Sequence, residues 1–122
     1  MLVRPQKIQQ VFINILSNAL YALNQKFPEF HEEKKFVIHG ELVDDGAGEF
    51  VRIVFHDRGC GIDREGLEKI CNPFFTTKPV GKGTGLGLSI SHTIIDEHGG
   101  RLLFESRVGE YTKVMVDLPV EK

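Results

Sequence analysis

Three stretches of this sequence hold residue types and spacings that could do chemistry. In NILSNAL, Asn14 and Asn18 lie four residues apart. On a helix that spacing places both amides on one face, beside the apolar stripe, where a simple amphipathic helix has no use for them. An amide carbonyl is a hard oxygen donor and can fill one position on Mg²⁺ while phosphates fill others. Two exposed asparagines are the plain alternative. In DRGCGID, Asp57 ends a strand-like run, and Gly59 and Gly61 follow. A carboxylate there, partly buried against an apolar pocket, can accept a hydrogen bond from an amino group such as adenine N6. An Asx turn leaving a strand accounts for the same residues. The third stretch is GKGTGLGLSI, residues 81–90, where Gly81, Gly83, Gly85 and Gly87 alternate with other residues ahead of an apolar run.

Four glycines in front of a helix carry an entropic cost and need a reason. A Walker A loop requires G-x-x-x-x-G-K-[ST] after a strand. Here Gly83 follows Lys82, and no glycine stands at the right distance upstream. A dinucleotide-binding loop requires G-x-G-x-x-G after a strand, whereas the spacing here is G-x-G-x-G after a long loop. Both assignments fail. The underlying physics survives them, because glycines let backbone approach a ligand closely and amides at a helix N-terminus attract anions. Taken alone, the run fits a hinge without ligand as well as it fits a phosphate cradle.

The elements that must position these residues can be read from periodicity. Ile8, Val11, Phe12, Ile15, Leu16, Ala19, Ala22 and Leu23 form one apolar helical face over residues 5–25. Pro5 suits its start and Pro28 its end. Residues 35–43 and 50–56 read as strands joined by DDGAG. Asp63 can cap a short helix over 64–70. Residues 71–85 form a long loop, a length usual for functional lids. Residues 86–98 read as a helix with Gly99 just beyond its end, and RLLFES and TKVMVDLP as strands around a turn at Gly109. Helices beside a mostly antiparallel sheet make an α+β, two-layer arrangement.

Composition narrows the class. A single domain of 122 residues with 41% hydrophobic and 26% charged residues can bury a core, and its net charge of -2 leaves no nucleic-acid footprint. Nine of thirteen glycines fall between Gly59 and Gly100, so the excess is local to the stretches above. Cys60 and Cys71 are not spaced as a CxxC pair and read as reduced thiols of a cytoplasmic domain. No run approaches the ~18 apolar residues of a membrane helix, and no leader is visible. The chain reads as a piece of something longer, whose parent could be membrane-anchored.

In combination the motifs resemble those of one family. Asn14 to Asn18 resembles the N box, DRGCGI the G1 box, NPFFTTK the F box and GTGLGL the G2 box of sensor histidine kinases. These are the ATP-binding catalytic domains of the gyrase, Hsp90, histidine kinase and MutL superfamily. All four boxes occur in order and cover nearly the whole chain, and the NALYAL form resembles the nitrogen-regulator branch. The resemblance implies a Bergerat-type sandwich: a mixed, mostly antiparallel sheet covered on one face by about three helices, with a mobile ATP lid over about 72–85.

The resemblance also implies roles. ATP and Mg²⁺ are the expected ligands. Asn18 would ligate the metal, and Asn14, Asn18 and Lys78 would serve catalysis. Asp57 would bond adenine N6, with Gly59, Gly61, Ile62 and Thr112 around the base, and Asn14 and Tyr21 would also line the nucleotide site. Phosphate contacts would come from Gly83, Thr84, Gly85, Leu86, Gly87 and Leu88, with Phe75, Thr76, Thr77 and Lys78 in the lid. Asn14 stands where gyrase-like and Hsp90-like ATPases carry a water-activating Glu, and an amide is no general base. Transfer to a protein histidine is therefore favoured over hydrolysis. Two positions depart from the pattern: Tyr21 replaces a basic residue, and Arg4 an Asp. None of His31, His39, His56, His92 and His98 sits in an acceptor motif. The acceptor is thus expected on a separate histidine-bearing dimerisation domain, with a response regulator downstream and this chain monomeric. An anti-sigma-factor-like serine kinase and a non-catalytic ATP-binding module are the competing readings.

Overall fold

A computed structural model describes residues 4–46, 48–69 and 87–120. The first element is α1 (Pro5–Lys26). Pro5 at its start lacks only an N–H that no helix would use. Arg4 at the N-cap is extended and gives no side-chain cap. Ile8, Val11, Ile15, Ala19 and Leu23 are buried, at steps of three and four that keep them on one face. The helix closes with the Phe27 amide on the Leu23 carbonyl, ahead of Pro28.

Four strands follow the predicted pattern: β1 (Phe36–Asp44), β2 (Glu49–Asp57), β3 (Arg101–Arg107) and β4 (Tyr111–Pro119). The turn between β1 and β2 is held by Asp44 and Asp45 carboxylates that accept the amides of Gly46 and Gly48. The sheet order is β1-β2-β4-β3, antiparallel throughout. β4 therefore lies inside the sheet, as its sequence allows: Val114, Val116, Leu118, Thr112 and Asp117 are all buried.

Between β2 and β3 come α2 (Arg64–Lys69) and α3 (Gly87–Glu97). Asp63 caps α2 as expected, its carboxylate accepting the Gly66 amide at 2.6 Å. The end of α3 is a Schellman motif. The Gly100 amide bonds the Ile95 carbonyl, the Gly99 amide bonds the Asp96 carbonyl, and Gly99 takes φ +73°.

α1 and α3 pack against each other and onto one face of the sheet. Ile8, Val11, Ile15, Ile94 and Ile95 meet Phe55, Leu102, Val114, Val116 and Leu118 there. Each such side chain contributes roughly 1.5–3 kcal/mol on burial. The helices leave most of β1 uncovered: Phe36 packs against the core, but Ile38 and Leu42 point to the helix side and stay 52% and 70% exposed. On the opposite face Asp117, fully buried, binds Arg52 and Arg101, and Arg101 reaches on to Asp45. That network fastens β2, β3 and the β1–β2 turn to β4.

Candidate functional site

Asp57 is the last residue of β2, opposite Thr112 of β4 and Phe36 of β1. It is only 4% exposed. One carboxylate oxygen accepts the Gly59 amide at 2.8 Å, which is the Asx turn that the sequence allows. Burial pushes its pKa up to about 6, against the opposing pull of that amide. Among the described residues no buried side-chain polar atom lacks a partner. The second oxygen meets no donor among the described residues. Asp57 is thus a desolvated carboxylate at the end of β2.

The glycines beside it are demanded by close approach. A Cβ on Gly59 would lie 2.8 Å from the Ala22 side chain and from the Asp57 carboxylate. Gly61 has φ +74°, and a Cβ there would lie 2.3 Å from the Arg107 carbonyl oxygen. The Cys60 carbonyl accepts the Gly109 amide at 2.7 Å. Residues 57–62 are thereby threaded between α1 and the β3–β4 turn.

Thr112 is buried, and its hydroxyl meets the Ser106 hydroxyl at 2.8 Å. Ser106 also accepts the Ile62 amide at 2.8 Å and donates to the Tyr111 carbonyl at 2.7 Å. A hydroxyl has one proton to give, so Thr112 must donate to Ser106. That leaves the Thr112 oxygen as an acceptor beside Asp57. Sequence reasoning missed Ser106, although the turn at Gly109 pairs 106 with 112 once its register is counted.

Asn14, Asn18 and Ala22 follow one another at intervals of four on α1. Ala22 backs Gly59, and the Asn14 amide donates to the Gly87 carbonyl at 2.9 Å and to Ser91 Oγ at 3.1 Å. Asn18, half-buried, stands one turn from each. One α1 face therefore touches the Asp57 loop at one end and the first turn of α3 at the other. Eight residues separate the two contacts, about 12 Å along the helix. Tyr21 is half-buried one residue before Ala22, and Leu88 packs partly against the core. Ser91 and Ala22 were also missed by sequence reasoning; only their four-residue steps from Gly87 and Asn18 mark them.

The remaining expected contacts, Phe75, Thr76, Thr77, Lys78, Gly83, Thr84, Gly85 and Leu86, and the expected lid over 72–85, lie outside the described residues. Among the described residues no group of His, Cys, Asp and Glu could hold a metal ion alone. His98 ties two helices: Nδ1 bonds the Ile94 carbonyl, and Nε2 accepts the Arg4 amide. His31 stacks on Phe27, and His56 meets Tyr111 edge-on.

Residues 3–122 match the family of histidine kinase-, DNA gyrase B- and HSP90-like ATPases. The chain belongs to this family. Among curated relatives, sporulation kinase E of Bacillus subtilis is 34% identical over 97% of the chain and 14% of its own length. Sensor histidine kinase ZraS of Escherichia coli O157:H7 is 37% identical over 95% of the chain and 22% of its own length. The solved catalytic domain of histidine kinase ThkA superposes with a TM-score of 0.73 at 37% identity, covering 96% of this chain and 68% of that one. The fold is thus that of a histidine kinase ATP-binding catalytic domain. The chain spans about one fifth or less of the first curated relatives it matches. Among the described residues no helix is long and apolar enough to cross a membrane.

Proposed function

We propose that this ATP-binding domain takes ATP with Mg²⁺ along the α1 face and presents the γ-phosphate to a histidine on a separate segment of its parent protein. The observation that carries this reading is the bracketing of Asn18. Asp57, a desolvated carboxylate, lies at one end of that face, and the N-terminal turn of α3 at the other. Adenine N6 donates to Asp57, the base rests against Gly59, Gly61, Ile62 and Thr112, and the phosphates lie toward Gly87 and Leu88.

The donor set suits Mg²⁺. Asn18 offers a neutral amide oxygen, one hard ligand, and the absence of a carboxylate cluster among the described residues leaves the remaining positions to phosphate and water. The ion supplies charge neutralisation for the phosphates. Asn14 has no basic group to activate water, so the pocket positions phosphate without promoting hydrolysis. Phosphoryl transfer asks the protein chiefly for such positioning.

Calorimetric titration with ADP and a non-hydrolysable ATP analogue, with and without Mg²⁺, tests the pocket. Binding is expected for the wild type and lost in Asp57→Asn. A well-folded wild type that binds neither ligand refutes the reading. Acid-labile phosphate on an added histidine-bearing segment supports the kinase assignment; acid-stable phosphoserine on a partner supports the serine-kinase alternative. A response regulator downstream and a monomeric chain belong to the same proposal, the latter checked by light scattering.

A further inference from the structure

Asn14 spends its amide in two directions at once. Nδ2 donates to the Gly87 carbonyl at 2.9 Å and to Ser91 Oγ at 3.1 Å, while Oδ1 accepts Gln10 Nε2 at 2.9 Å. Ser91 is wholly buried and gives its hydroxyl proton to the same Gly87 carbonyl, at 2.9 Å. The accounting fixes the orientation of the amide. Turned over, it would set Oδ1 against the Gly87 carbonyl, two acceptors face to face, and its NH₂ against the Gln10 donor. The cluster is therefore complete and directional. Gly87 opens α3 and Ser91 lies one turn later, so Asn14 holds both ends of that first turn against the middle of α1.

We infer that Asn14 is a positioning residue that acts through Gly87 and Ser91, not by touching the nucleotide. It pins the first turn of α3 at a fixed place relative to Asn18, so that the phosphates meet both together. The inference rests on the nucleotide reading above and assigns Asn14 a role there different from direct contact. It also explains why position 14 needs an amide. A carboxylate has no proton for the Gly87 carbonyl and would repel it, whereas alanine would leave Ser91 without its donor. A ligand that does not reach α3 should be indifferent to the latch; one that does should feel its loss.

The test titrates wild type, Asn14→Ala, Ser91→Ala and the double variant with adenosine and with a non-hydrolysable ATP analogue plus Mg²⁺. Each single variant is expected to bind the analogue about tenfold more weakly, the scale of a lost buried hydrogen bond. Adenosine affinity should stay within about twofold. The double variant should match the singles, because both residues serve one contact. Asn14→Asp, of nearly the same shape, should show the same loss if alanine proves unstable. Hydrogen exchange over residues 88–91 of the nucleotide-free chain should quicken in every variant. A loss in Asn14→Ala with hydrogen exchange over residues 88–91 unchanged from the wild type overturns the inference, since Asn14 then acts on the nucleotide directly. Equal losses for adenosine and the analogue overturn it too, as general loosening. If the wild type binds neither ligand, the nucleotide reading falls and this inference falls with it. That result is distinct from a wild type that binds while its variants bind just as well, which overturns the latch alone.

Discussion

At the scale of single residues, Asp57 makes a prediction with two opposite signs. Its folded pKa is raised from the usual 3.8 to about 6 by burial. An acid whose pKa is raised on folding favours the fold while protonated. Its contribution to stability is full below about 4 and is lost as pH rises through about 6. Nucleotide binding runs the other way, because adenine N6 needs the ionised carboxylate as acceptor. ADP affinity should therefore fall as pH drops from 7.5 to 5, while the thermal stability of the free chain gains from the same group. Calorimetry and thermal melts across that range measure both in the wild type, and Asp57→Asn, which loses binding, should flatten the stability response. The pH response of Asp57 comes from burial by strands distant in sequence, which no local pattern announces. The carboxylate itself was legible, because a strand end followed by alternating glycines is a local signal. Ser106 was not, because its role arises from meeting Thr112 and Ile62 across a turn. Ser91 reads in the sequence as one more polar residue on a helix, and only the packing of α1 on α3 gives it a task.

At the scale of elements, the predicted boundaries fall within a residue or two of those observed, because Pro5, Pro28, Asp63, Gly99 and Gly109 mark the ends by local chemistry. The strand order was not local. β4 pairs with β2 as well as β3, and its burial on both faces reflects that central place. Two glycines test how much the β3–β4 turn matters to the site. Gly109 has φ +78° with open space around it, so Gly109→Ala should cost only the left-handed strain, about 1–2 kcal/mol. Gly61 has similar strain, and a Cβ there also strikes the Arg107 carbonyl. Gly61→Ala should cost a further ~1–3 kcal/mol and weaken ADP binding by moving Ile62. Urea unfolding and calorimetry separate the two; equal costs would refute the threaded path of residues 57–62. The far face of the sheet carries the second element-level prediction. Burial alone would raise the Asp117 pKa, but hydrogen bonds and charge from Arg52 and Arg101 outweigh it and hold the pKa below 3.8. That contribution is present at neutral pH and fades as pH falls below about 4. Asp117→Ala leaves two guanidinium groups facing each other and should destabilise by about 3 kcal/mol, with nucleotide affinity unchanged in the folded protein. Urea midpoints at pH 7 and pH 3 check it: the gap between wild type and variant should narrow at the lower pH.

At the scale of the whole molecule, one layer of helices over β2, β4 and β3 leaves the α1 face as the meeting line of every described element of the site. The two-layer plan was legible from the sequence, since apolar helices alternate with half-buried strands and need one shared core. Under the proposed function the acceptor lies on a separate segment of the parent protein. His98 is engaged with Ile94 and Arg4, and His31 lies against Phe27. Under the proposed function the chain and its acceptor are separate bodies when made separately, so transfer between them is bimolecular. Its initial rate should rise in proportion to added histidine-bearing segment at micromolar concentrations. A flexible tether supplies an effective concentration of order millimolar, so joining the two should raise the rate by roughly a thousandfold over one micromolar acceptor. The measurement follows label from the γ-phosphate of ATP onto the segment, before and after acid treatment. Acid-labile label that grows linearly with acceptor, and that Asp57→Asn abolishes, supports transfer from this site. Label that stays on the chain itself, or that survives acid, refutes transfer to a separate histidine.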